Sequence, residues 1–253
     1  DVGTVAGSIE RRLRTLALAA AAVAVVLVFV PPLWGGGRRY VFAETVQFCL
    51  VAFAVPGLLV VGRPWRWAAP GSRLRELAGR LGRARERHPS PARAGMFAAV
   101  EVGAMVAWRT QAAVDALTRH WWLVVAEVVS LTVVGVGLWL ELVACPPLRP
   151  RVPRPGRAVL AAACMWATWI LAYVIGFSHG EWYVALDRRG SLGWAADQQV
   201  AAGVLLLGAL VAFMPVIFSD ALAFLHGEGD PDAELRRLVR AERRAGRWRG
   251  PGG

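Results

Sequence analysis

Apolar residues run along this chain in blocks about as long as a bilayer is thick. They cover residues 15–34, 40–61, 94–113, 121–144, 158–177 and 199–225. Each approaches the roughly 20 residues that carry a helix across about 30 Å of hydrocarbon, and only structures that satisfy their own backbone can cross it. The pattern therefore predicts an all-α integral membrane protein, a bundle of about six transmembrane helices. The first block closes on Pro31-Pro32, where a helix must stop. The third is the weakest, because Glu101 and Arg109 interrupt it. The block after Arg14 is too long for a signal peptide and lacks a small-residue cleavage site, so it reads as a membrane helix. With no shift in composition, residues 1–253 are expected to form a single membrane domain.

Charge orients the bundle. The net charge is +11 and every basic residue apart from histidine is arginine. Three arginines precede the first block, nine lie between the second and third, four between the fourth and fifth, and seven after the sixth. The other side holds only Arg38, Arg39, Arg109, Arg119, Arg188 and Arg189. By the positive-inside rule the arginine-rich side, with both termini, is cytoplasmic. Arginines placed this way read as topology and contact with the anionic inner leaflet, not as a nucleic-acid surface. Two arginine-rich segments have apolar stripes and read as interfacial helices on the inner leaflet, the alternative being docking faces for a protein partner. One starts at Ser72 and presents Leu74, Leu77 and Leu81. The other is the basic amphipathic tail, 226–253, in which Asp230-Pro231 precedes Leu235, Leu238 and Val239.

Ionisable groups at membrane depth are costly and mark function or internal pairing. Glu44, Gln47 and Phe48 share a face of the second span; Glu101, Met105 and Arg109 share one of the third. Glu127 lies near the outer end of the fourth span, and Asp197 and Gln198 lie where the sixth begins. These residues form a candidate buried polar network, either a structural lock in which Arg109 is neutralised by Glu44 or Glu127, or a ligand or ion site. Glu141 and Asp220 fall near the inner arginines and read as interfacial ion pairs. Cys49, Cys145 and Cys164 suggest no disulfide framework. His88, His120, His179 and His226 all lie at or beyond span ends, which disfavours haem. No phosphate-binding glycine loop, nucleophile elbow or His-Glu-x-x-His occurs, so an enzyme is not expected.

Several stretches resemble the bacterial CtaG-type cytochrome c oxidase assembly factors, membrane proteins implicated in copper delivery. Glu44-Thr-Val-Gln-Phe-Cys-Leu with Val55-Pro-Gly-Leu-Leu-Val-Val-Gly-Arg-Pro-Trp65 resembles the family's histidine-rich second helix. Ala107-Trp-Arg-Thr with Val114-Asp-Ala-Leu resembles its Trp-His segment, and His120-Trp-Trp-Leu-Val-Val-Ala-Glu127 with Leu138-Trp139 its His-x-x-Glu-His helix. Trp194-Ala-Ala-Asp-Gln-Gln-Val-Ala-Ala-Gly203 resembles its Asp-Gln-Gln-x-x-Gly segment.

The resemblance implies a multi-pass protein of the bacterial inner membrane, with subunits of a respiratory oxidase as partners and copper as the associated metal. Where the family has histidines, however, this chain has Glu44, Phe48, Arg109, Val124 and Val128. Arginine has no lone pair to offer a metal. An ion pair between Glu44 and Arg109 is therefore expected in the metal's place. Cys49, Met105, His120 and His179 are the remaining groups that could hold copper, though not spaced as a site. The expected function is a protein related to oxidase assembly and copper delivery that has lost its metal site and acts as a scaffold. The alternatives are a stable accessory subunit of a respiratory or other membrane complex, and an ion or proton transporter using Glu44, Glu101 and Asp197, although no inverted repeat is evident.

Overall fold

A computed structural model describes residues 2–31, 33–87, 90–184, 186 and 192–225. The chain begins with α1 (Val2–Phe29) and the short α2 (Leu33–Gly36). Next, α3 (Val41–Cys49) passes through a π-helical turn, Leu50–Ala54, into α4 (Val55–Gly62). A 3₁₀ turn, Pro64–Arg66, leads to α5 (Arg73–Arg87), α6 (Pro91–Trp108) and α7 (Gln111–Arg119). The last three helices are α8 (Trp121–Leu142), α9 (Arg154–Gly176) and α10 (Trp194–Leu225). No β-strand occurs among the described residues. Five segments are long and apolar enough to cross a membrane: Ser8–Phe29, Val41–Arg66, Trp121–Leu142, Arg154–Gly176 and Trp194–Leu225. The protein is an all-helical membrane bundle. The basic tail, 226–253, lies outside the described residues.

The third apolar block differs from its expected form. It is not one helix over 94–113: α6 stops at Trp108, and Arg109 leaves helical geometry at φ −92°, ψ 4°. Thr110 then starts a separate helix, its Oγ1 accepting the Ala113 N–H at 3.3 Å. Helix α6 is also not among the five segments apolar enough to cross a membrane. It packs against α8 and α9 with Glu101 buried.

The π turn in the second span has a chemical cause. Pro56 has no N–H to give the Ala52 carbonyl, and its ring would clash with that carbonyl in a regular helix. One wider turn absorbs the conflict. The proline ring then lies on Gly135 of α8, where an added Cβ would sit 2.7 Å from Pro56 Cγ. Replacing Gly135 with valine should overpack this crossing and cost about 1–3 kcal/mol, read as a lowered unfolding temperature in detergent. Beside it, Trp139 stacks on Phe213 at 5.9 Å, and Phe53 meets Phe213 edge-on at 5.6 Å.

Charged groups collect at the two ends of the bundle. At the arginine-rich end, carbonyls in the last turn of α8 and in the segment after it have no helical partners and take arginine donors instead. Arg85 donates to Leu140 O at 2.9 Å and Arg149 O at 3.1 Å, and Arg63 donates to Ala144 O at 3.0 Å. Trp65 Nε1 donates to Pro146 O at 3.3 Å. Glu141, fully buried, pairs with Arg85 at 2.8 Å and with Arg151. Asp220 pairs with Arg157 at 2.9 Å. Burial pulls the Arg85 guanidinium below its ordinary pKa, and Glu141 opposes that shift. Burial also pushes the Cys145 thiol up to about 11, against the pull of Arg63 and Arg85, so it stays a neutral thiol at physiological pH.

Helix α5 rests on this end. Ser72 caps it, accepting the Arg75 N–H at 3.4 Å. Ala78, Gly82 and Arg85 are buried on the docked side. A Cβ at Gly82 would sit 2.8 Å from Pro147 O, so only glycine lets the backbones approach this closely. Leu74, Leu77 and Leu81 point away from the protein and remain exposed.

Candidate functional site: a buried arginine at the arginine-poor end

Arg109 is the largest fully buried side chain among the described residues. Its position comes from the break between α6 and α7, which turns it inward against α3. Nη1 donates to Glu44 Oε2, and Nη2 donates to Thr45 Oγ1 at 2.6 Å. The Thr45 hydroxyl donates in turn to Val41 O at 2.8 Å. Two aromatic rings lie near the cation, with Phe48 and Tyr183 centroids 5.1 and 5.4 Å from Cζ. The Tyr183 hydroxyl donates to Arg109 O at 2.9 Å. Charge, hydrogen bonds and aromatic faces thus replace the water an arginine normally keeps.

Tyr183 stands in the connection between α9 and α10. Burial chiefly pushes its phenol up to about 12; Arg109 opposes this and Glu44 adds to it. A phenol whose folded pKa exceeds its unfolded value favours the fold while neutral. Its contribution is complete below about pH 10 and fades as pH rises towards 12. Tyr183→Phe should remove that alkaline component and cost about 1 kcal/mol, read by unfolding at pH 8 and pH 11.

Asp197, expected in the same network, has a different task. Its two carboxylate oxygens accept the backbone N–H groups of Val41 and Phe42 at 2.9 and 3.0 Å. Tyr40, the residue at the N-cap of α3, makes no side-chain cap bond, so α10 supplies the cap from 156 residues away. The carboxylate also meets the positive end of the helix dipole. Asp197→Ala should orphan both donors and cost about 2 kcal/mol, checked by thermal unfolding.

Gln198 holds the neighbouring loop. Its Oε1 accepts the Trp182 N–H at 2.7 Å, and its Nε2 donates to Ile175 O at 3.2 Å and Ser178 Oγ at 3.0 Å. Gln47 turns to α1 and donates to Val28 O at 2.9 Å. Glu127 is buried with Oε1 unpartnered among the described residues, within electrostatic range of Glu44 and Arg109. Glu101 stands apart, eight residues or about 12 Å along the helix from Arg109, within electrostatic range of Cys164.

The expected network is therefore three clusters, with Gln47 tied to α1 and Glu101 standing outside all of them. Glu44, Arg109 and nearby Glu127 form one; Asp197 caps α3; Gln198 ties the 176–183 connection. Thr45 and Tyr183 belong to the site and carry no periodic signal, since one hydroxyl hides among apolar neighbours and the other lies in a loop.

The donor set does not fit copper. The guanidinium of Arg109 occupies the space between α3 and α6, and a fixed cation repels another. Phe48 offers a ring, not a ligand atom. His120 and His179 are exposed, while Met105 is buried on α6 and Cys49 is half-buried on α3 with its Sγ near Val204 O. Among the described residues no three histidine, cysteine or carboxylate side chains converge.

These features define a multi-pass helical membrane protein whose arginine-poor end is closed by a buried ion pair and a long-range helix cap. Residues 4–225 match the cytochrome c oxidase caa3 assembly factors, and the chain belongs to that family. Comparison with curated proteins and with solved structures finds no match.

Proposed function

We propose that this protein is a cytochrome c oxidase assembly factor of the bacterial inner membrane that works without a metal of its own. The observation that carries the reading is Arg109, paired with Glu44 and Thr45 where the family resemblance implies histidine. The protein keeps the family's bundle and gives up its ligand chemistry. It acts as a non-catalytic scaffold that binds oxidase subunits during maturation, with its arginine-rich end in the cytoplasm against anionic lipid. Glu44, Gln47, Glu101, Arg109, Glu127, Asp197 and Gln198 serve this role by fixing helix positions. A transport path through Glu44 and Asp197 is disfavoured, because both carboxylates are engaged by internal donors.

The second reading is a permanent accessory subunit. It draws on the groove of about 800 Å³ between α9 and α10, lined by Trp166, Trp169, Ile170, Tyr173, Leu206 and Leu210 and open on the apolar surface. Affinity isolation from membranes separates the two. A scaffold should recover oxidase subunits only from cells that are assembling the enzyme, and below equal stoichiometry. Fixed equal stoichiometry with mature oxidase would favour the accessory subunit, and no oxidase subunit in either state would overturn both.

A further inference from the structure

The arginine-rich end contains a cavity of about 780 Å³ that the buried ion pair does not explain. It lies between α1, the 3₁₀ turn, α5 and the connection after α8. Arg11, Arg14, Arg66 and Arg75 line it together with Trp65 and Trp67, and no carboxylate does. Arg14 is held by Glu10, and Arg63 lies 3.9 Å from the same carboxylate. Arg11, Arg66 and Arg75 have no ion-pair partner among the described residues. Unneutralised arginines around one cavity leave a field that a phosphate would satisfy. The walls are held in place, since Trp65 donates to Pro146 O and Arg63 to Ala144 O.

The source of the phosphate follows from α1. Arg11, Arg14, Leu18, Ala21, Ala22 and Val25 recur at steps of mainly three and four residues, so they share one face of the helix. The first two line the basic cavity. The last four line an apolar groove of about 350 Å³, completed by α4 and α8 and facing the surrounding apolar phase. A headgroup pocket and a chain groove on one stripe match a lipid better than a soluble anion. Half-exposed Trp67 at the mouth suits the interfacial zone. We propose that the cavity holds the phosphate of an anionic phospholipid of the inner leaflet, with an acyl chain laid along the α1 groove. The site is separate from Arg109, and rests on the cytoplasmic assignment of this end rather than on the oxidase reading.

The test uses delipidated full-length protein in neutral detergent. Thermal unfolding and native mass spectrometry are followed during titration with phosphatidylglycerol, phosphatidylcholine and water-soluble glycerol phosphate. Phosphatidylglycerol should bind saturably and raise the unfolding temperature, with phosphatidylcholine and glycerol phosphate each at least about tenfold weaker. Arg66→Gln with Arg75→Gln removes two exposed, unpaired side chains and should weaken phosphatidylglycerol about tenfold, with lipid-free unfolding unchanged. Ala22→Phe should fill the groove and weaken phosphatidylglycerol while leaving glycerol phosphate binding as it was. Equal affinity for glycerol phosphate would make this a soluble-anion site and overturn the lipid assignment. Equal affinity for phosphatidylcholine, or arginine variants that bind like the parent, would overturn the site itself.

Discussion

Replacing Arg109 with alanine is expected to cost about 3–5 kcal/mol, the largest loss of any single substitution considered for this bundle. The reason lies in what stays behind. Glu44 would remain buried with its charge partner gone, and Thr45 would lose the donor to its hydroxyl oxygen. The Phe48 and Tyr183 rings would face a void where the guanidinium had been. Removing the acid as well should restore much of the loss. Arg109→Met with Glu44→Gln replaces a buried pair by groups of similar volume, a change often close to neutral. Unfolding of the parent, both single variants and the double variant in one detergent gives the coupling directly. Single and double variants that melt like the parent would show that the pair holds nothing together.

Copper content is the second large expected difference. Protein loaded with Cu(I), desalted and measured by elemental analysis should hold well below one copper per chain. The Arg109→His, Phe48→His variant should hold substantially more. Phe48 lies one helical turn from Glu44, and Arg109 reaches the same face of α3 from α6, so two imidazoles there would stand beside a carboxylate. Cys49, the next residue along α3, turns its sulfur towards Val204 O of α10 and is not part of that set. Near-stoichiometric copper in the parent would mean that other groups replace the lost histidines, and the metal-free reading would fall. The two experiments are linked. On the proposed reading Arg109 both holds the helices together and keeps a second cation out, so one substitution should reduce stability and begin to restore metal capacity.

Much of the fold was legible because a bilayer imposes one length on every helix that crosses it. The second, fourth, fifth and sixth apolar blocks coincide with helical segments to within about five residues, while the helix of the first, Val2–Phe29, starts well before its block and stops five residues short of its end. The third did not follow the pattern, because its end is set by Arg109, and a charged residue in an apolar run does not reveal whether the backbone continues or breaks there. The Glu44–Arg109 pair was legible for another reason. Opposite charges that must both leave water have few places to go.

What could not be read were contacts that depend on three-dimensional juxtaposition. Asp197, expected in one polar network with Arg109, instead completes a helix 156 residues earlier. Gln47 shares a helical face with Glu44, yet it reaches across to α1. Tyr183 sits in a connection with no periodicity to mark it. Spacing along one helix shows which residues share a face, but not which neighbouring helix that face will meet.

The long-range cap has a consequence for how the molecule is made. A chain entering the membrane from its N-terminal end inserts α3 long before α10 exists. During that interval the amides of Val41 and Phe42 lack their carboxylate, and the second span has an unfinished end. The Glu44–Arg109 pair can form once α6 arrives, but the cap and the Gln198 latch wait for α10. The arginine-poor end is therefore sealed only once α10 has emerged. A chain cut short before Asp197 would carry most of its hydrophobic segments and still present unsatisfied backbone donors at the start of its second span.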